Sequence, residues 1–336
     1  MWDSVIGHEE QKKFLARYLY AAERPHALLF TGPAGIGKRL LAYQFARSFL
    51  CASKSGTDNC ESCRRLDFEG GSVTHPDFLV VKRQADNSAK RLKDIGIGQM
   101  RELISRSALK SVLSPFAVCI VEDADHMTAE AADSFLKLLE EPPAGWVVIL
   151  IAEDEAALTP TVLSRLAKVR FAALAADLTA RILAGKNIEA EEAGLLARLG
   201  DGSPGLALAL KEQDVLSVRK EAWEFLASLP LDTPLNYLAA KPWQGKDYGR
   251  EKAVLFTSML QLLLHDLVMI KSGLEEDLRN TDLAAELKKG SAQWDFSALR
   301  QSLAATEEAY FALTASAGVR MVLEALALKI DQAYKE

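Results

Sequence analysis

Several groups of residues in this 336-residue chain have the types and spacing to do chemistry. The first is Gly32-Pro33-Ala34-Gly35-Ile36-Gly37-Lys38-Arg39, between the apolar run Ala27 to Phe30 and a helical pattern over Leu40 to Leu50. Strand, G-x-x-x-x-G-K, helix is a phosphate-binding loop in its required context. Gly32, Gly35 and Gly37 let backbone N–H groups curl round an anion, the helix start adds partial positive charge, and Lys38 adds a full one. The position after the lysine should offer a hydroxyl to Mg²⁺. Here it is Arg39, which has donors only. The loop is therefore expected to accept phosphate, with ATP/Mg²⁺ binding weak or absent.

The second group is Glu122-Asp123, at the C-terminal end of the apolar run Phe116 to Val121. Ligand groups collect at that end of a parallel strand. A hydrolytic site wants Asp for the metal shell and then Glu for water. The order here is reversed, which predicts a degenerate acidic pair or simply an acidic cap on the next helix. The third group is Cys51, Cys60 and Cys63, with zinc-like spacing but one ligand short of a structural site. Cys119 lies in a core strand, so Asp67 or His75 is the candidate fourth ligand. A vestigial site or free thiols are the alternative. The fourth is Ser164-Arg165, near the predicted domain edge. An arginine there is either a finger toward a neighbour's phosphates or an ordinary surface residue. Finally, residues 82 to 110 carry a net charge of +5 in a chain of net charge −6. That stretch suits a nucleic-acid backbone or a solvated face.

These groups need a scaffold, and the chain supplies one. Apolar runs at 27–30, 78–81, 116–121, 146–151 and 168–171 alternate with helical patterns at 9–22, 40–50, 97–109, 128–140 and 160–166. Residues 82 to 94 read as an exposed loop. Alternation on this scale predicts a three-layer, mostly parallel α/β domain over residues 1–172. Beyond it the helical period is nearly continuous. We divide that half into a small helical domain at 173–212 and an all-helical domain at 213–336. The composition, 49% hydrophobic and 26% charged, suits a globular protein. No run approaches 18 apolar residues, so no membrane span is expected. Four cysteines do not make a disulfide framework, which predicts a reduced, cytoplasmic setting.

Taken together the motifs are recognisable. His26 to Lys38 resembles an AAA+ clamp-loader P-loop. Ser134-Phe135-Leu136-Lys137-Leu138-Leu139-Glu140-Glu141-Pro142-Pro143 is similar to that family's Leu-Glu-Glu-Pro-Pro helix. Ser164-Arg165-Leu166 resembles its Ser-Arg-Cys motif. The cysteine excursion, His75-Pro76-Asp77 and Gly202-Ser203-Pro204-Gly205 extend the match. The resemblance implies an α/β P-loop (AAA+) parallel-sheet domain, a small helical lid domain and an all-α C-terminal collar domain.

Within the family the chain resembles the delta-prime branch of the bacterial DNA polymerase III clamp loader rather than the gamma/tau ATPases. Arg39, Glu122-Asp123, the absence of a polar sensor pair at Ile151-Ala152-Glu153, and Gly205 in place of a sensor arginine all point that way. The resemblance implies a stator that does not hydrolyse ATP itself. It implies a hetero-pentamer with gamma/tau and delta subunits, and Arg165, with Ser164, acting at the neighbouring ATP site. The sliding clamp and primer–template DNA are then partners through the complex. The family's four-cysteine Zn²⁺ module would need a cysteine at Leu66. The alternatives are a catalytically active clamp-loader ATPase and, further off, a zinc-stapled DNA-binding module.

Overall fold

The structure, a computed structural model, describes residues 2–68, 71–86, 91–231 and 248–335. It falls into two compact units, residues 1–182 with 202–205, and residues 183–201 with 206–336.

The first unit is built on a five-stranded parallel sheet. Its strands are β1 (Ala27–Thr31), β2 (Phe78–Val81), β3 (Ala117–Val121), β4 (Trp146–Ala152) and β5 (Ala167–Arg170), in the order β2-β3-β4-β1-β5. Each lies within about a residue of its sequence expectation. The central strands are buried along their whole length, as a sheet covered on both faces must be. Alternate residues therefore feed two cores. Leu28, Phe30, Val118, Ile120 and Ile149 pack with Leu15, Tyr18, Phe45 and Phe49 of α1 (Glu9–Tyr20) and α2 (Lys38–Leu50). Leu29, Cys119, Val121, Val148 and Leu150 face Met100 and Leu103 of α4 (Ile97–Ser107) and Phe135 and Leu138 of α5 (Ala129–Glu140). Cys119 is fully buried, and burial pushes its thiol pKa up, which makes it an inert core residue.

Asp77, at the foot of β2, fixes the opposite edge. Its buried carboxylate accepts the N–H groups of Val112, Leu113 and Ser114 at 2.7, 2.8 and 2.9 Å. This explains the His75-Pro76-Asp77 turn structurally. The stretch read as a loop over 82–94 instead holds a two-stranded antiparallel pair, Gln84–Asp86 with Arg91–Lys93. Arg83 braces it, donating to the carbonyl of Leu92 at 3.0 Å and to Asp94 at 3.3 Å. The strands are too short and polar to leave a period in the sequence. Lys90 lies outside the described residues.

The described part of the second unit is helical. It includes α8 (Ala190–Leu199), α10 (Val215–Ala227), α11 (Arg250–Lys271), α12 (Ala284–Ser291), α13 (Phe296–Thr314) and α14 (Val319–Lys335). By length and composition α11 alone among the described helices is apolar enough to cross a membrane. However, it packs against α10, α12 and α13 and buries Leu260, Leu263, Leu264 and Leu267 among them. It also carries a fully buried Asp266, which accepts the N–H and side-chain amide of Asn280 at 2.8 Å. A core helix of a helical unit has this character.

Candidate functional site: a closed phosphate loop and an exposed arginine

β1 delivers the chain into the loop 32–37, and α2 begins at Lys38. Gly32 has φ of 144°, and a Cβ there would lie 2.1 Å from the carbonyl oxygen of Phe171. Only glycine fits this turn. The loop's carbonyls are then satisfied in succession. Lys38 Nζ donates to the oxygens of Gly32 and, at 2.6 Å, of Pro33. Ser203 Oγ donates to Ala34 at 2.8 Å, the N–H of Gly205 to Gly35 at 2.9 Å, and His8 Nε2 to Ile36 at 2.7 Å. The N–H of Leu41 closes on Gly37 at 3.0 Å. Residues 202–205 thus sit on the loop's outer side. A Cβ on Gly205 would meet Gly35 Cα at 2.7 Å.

Lys38 is 5% exposed. Burial pulls its ammonium below the ordinary 10.5, and the carboxylates of Glu153, Asp125 and Asp123 oppose that shift. The lysine that should meet phosphate is turned back onto its own loop. No side chain caps the first turn of α2.

The acidic end of β3 is engaged by protein groups. Glu122, buried at the end of β3, accepts a hydrogen bond from the Tyr43 hydroxyl. Its other oxygen lies 3.6 Å from Arg39. Burial, and next the hydrogen bond to Glu122, push the Tyr43 pKa upward. Asp123 adopts a left-handed backbone, φ 51°. Asp125 Oδ2 accepts the N–H groups of Glu153 and Asp154 at 3.1 and 3.4 Å, tying the ends of β3 and β4 together. Arg39 thus places a positive charge beside Glu122, and as a donor-only cation it cannot itself ligate Mg²⁺.

Arg165 stands at the surface just after the short helix α6 (Pro160–Leu163). Its guanidinium donates to Glu140 at 2.6 Å, to the Thr161 carbonyl at 2.7 Å and to Ser164 Oγ at 3.1 Å. Ser164 Oγ donates to the same Thr161 carbonyl at 3.0 Å. The Ser-Arg motif and the Leu-Glu-Glu-Pro-Pro helix, read separately in the sequence, meet in this one ion pair.

Cys51, Cys60 and Cys63 converge. Cys51 follows α2, and Cys60 and Cys63 flank the start of α3 (Glu61–Arg65). Neither proposed fourth ligand joins them. His75 instead bonds Ser62 Oγ at 3.0 Å and accepts the N–H of Asp77 at 3.1 Å. Asp67 lies in a small hairpin with Ser72–Val73. Asp58 lies beside them instead. The four ligand atoms of Cys51, Asp58, Cys60 and Cys63 lie within 4.8 Å of one another. The signal was present as an acid two residues before Cys60, whose N–H it accepts at 3.2 Å. His8 and Ser203 also serve the loop as hydrogen-bond partners. Neither has a local sequence cue for that role.

Comparison with known proteins gives the family of the chain. Residues 7–175 match the family described as DNA polymerase III, delta subunit, and residues 248–330 its C-terminal family. The chain is 30% identical over 322 residues to DNA polymerase III subunit delta' of Bacillus subtilis, covering 91% of each. It is 33% identical over 212 residues to the delta' subunit of Pseudomonas aeruginosa, covering 62% of each. A gamma/tau subunit of Mycobacterium tuberculosis is 32% identical over 220 residues, 62% of this chain and 36% of that one. The chain belongs to the DNA polymerase III delta-prime family.

Proposed function

We propose that the chain is the stator of a bacterial replicative clamp loader, a subunit that does not turn over ATP itself. It joins gamma/tau and delta subunits in a hetero-pentamer in the cytoplasm and helps load the sliding clamp onto primer–template DNA. Arg165, positioned by Ser164, reaches the ATP site of the adjacent gamma/tau subunit. Residues 173–212 form the lid and 213–336 the collar that holds the ring. Zn²⁺ at the cysteine cluster staples the excursion to the end of α2.

The observation that carries this reading is the state of the loop. Lys38 bonds two loop carbonyls, and Arg39 and Tyr43 hold Glu122. Binding MgATP would require breaking these contacts before any phosphate contact formed. Arg165 is held only by an exposed carboxylate and neighbouring oxygens. An exposed pair of that kind is worth about 0–1 kcal/mol, so a neighbour's phosphate can replace it.

The test is a titration of the purified chain with ATP, with and without Mg²⁺, alongside an ATPase assay. The expected result is no turnover and no gain in affinity on adding Mg²⁺. Turnover that disappears in Lys38→Ala overturns the proposal and makes the chain an active ATPase.

A further inference from the structure

We infer that Asp58 is the fourth ligand of a Cys₃Asp metal site, supplied from the loop before Cys60 rather than from position 66. This rests on the zinc reading above and goes beyond it, because position 66 is a buried leucine. Among the described residues, Asp58 is the acidic or histidine side chain that reaches all three thiols.

The geometry is close to that of a bound site. Asp58 Oδ1 lies 3.2 Å from Cys51 Sγ and 3.3 Å from Cys63 Sγ. Tetrahedral zinc with metal–sulfur bonds near 2.3 Å sets its ligands about 3.7 Å apart. The widest spacing here, 4.8 Å, needs only a small contraction. The carboxylate is also aimed. Ser53 Oγ donates to Oδ2 at 2.6 Å, and the Cys60 N–H donates to Oδ1. Such outer contacts orient a ligating group. Oδ1 is left pointing at the sulfurs.

The loop that carries these groups is itself anchored. Lys54 Nζ donates to the Phe49 carbonyl at 2.6 Å and lies 4.1 Å from the Phe116 ring centroid. These contacts hold the start of the loop against the end of α2. On binding, three thiols lose their protons to solvent, and three metal–sulfur bonds and one metal–oxygen bond replace the hydrated ion's bonds to water. Three soft ligands suit zinc over magnesium or calcium, and the one oxygen ligand makes the site weaker than a four-thiolate one.

The experiment uses the full chain, purified without chelator, with Zn²⁺ content measured and Co²⁺ then exchanged in. The expected result is one zinc per chain and a tetrahedral Co²⁺ spectrum with thiolate charge-transfer bands. Asp58→Ala should lower Zn²⁺ affinity by about tenfold or more. Asp58→Cys should raise the charge-transfer intensity by roughly a third, as a fourth thiolate adds to three. It should also tighten binding, and it keeps the test alive if the alanine variant misfolds. A wild-type chain that takes up neither metal overturns the zinc reading and this inference with it. Metal binding whose affinity and spectrum ignore both substitutions overturns the Asp58 assignment alone. Neither result touches the stator proposal, which the ATPase assay tests separately.

Discussion

Lys38 and Arg165 are both cations suited to phosphate, and the fold holds them in opposite ways. Lys38 is buried beneath a loop whose carbonyls it helps satisfy, and those acceptors are backbone atoms that cannot move away without unmaking the turn. Arg165 pairs with Glu140 at the surface, where the carboxylate is 50% exposed. A buried cation on backbone acceptors has become part of the fold, and removing it leaves polar atoms unsatisfied. An exposed ion pair contributes little to stability and is available for exchange. The contrast is between a cation built into the fold and one whose partner is easily exchanged.

Substitutions can break or sharpen that distinction. The largest stability effect is expected from Gly205→Ala. Its Cβ would drive into Gly35 at 2.7 Å, where backbone meets backbone. Overpacking of this kind costs up to about 3 kcal/mol, and the thermal midpoint should fall accordingly. Lys38→Met should follow, at about 2 kcal/mol by chemical denaturation, because the Gly32 and Pro33 carbonyls lose their donor. If Lys38→Met were neutral, the loop would not depend on its lysine.

The smallest effect is a pH dependence. Burial lowers the pKa of His8 below its ordinary 6.5, and the hydrogen bond to the Ile36 carbonyl only partly offsets this. The folded chain then binds fewer protons than the unfolded chain near and below pH 6.5. Stability is therefore full above that pH and declines as pH falls through it. His75 is lowered too, by burial first, and acts in the same window. Thermal melts between pH 7.5 and 5.5 should show the decline. His8→Gln, which can still donate to Ile36, should show a shallower one, with the remainder belonging to His75.

Much of this was legible in the sequence, for identifiable reasons. The central strands are buried on both faces, so they appear as unbroken apolar runs at 27–30, 116–121 and 146–151. The P-loop spacing is local and chemically specific. What was not legible depends on contacts distant in sequence. Ser203 and Gly205 meet the loop across about 170 residues, and nothing near either end announces it. His8 likewise reaches the Ile36 carbonyl from 28 residues away, and a lone histidine has no partner pattern. Asp58 lies before Cys60, on the side where the chain turns back toward Cys51, whereas Asp67 and His75, after Cys63, are not part of the cluster. The reversed Glu122-Asp123 order marks the acidic end of β3 as unusual. It did not reveal that Tyr43 and Arg39 fill the carboxylate's coordination.

The most direct test of the account places Arg165→Ala and Lys38→Met side by side in a complex reconstituted with gamma/tau and delta subunits, reading DNA-stimulated ATPase and clamp loading. Arginine fingers contribute about 10³-fold or more to turnover at the site they complete. Arg165→Ala is therefore predicted to abolish turnover at the one ATP site it faces and to depress clamp loading, with no change in the chain's own melting temperature. Lys38→Met should lower the melting temperature and leave turnover within about twofold, less than 0.5 kcal/mol of barrier. The reverse pattern, with ATPase lost in Lys38→Met and kept in Arg165→Ala, would contradict the account.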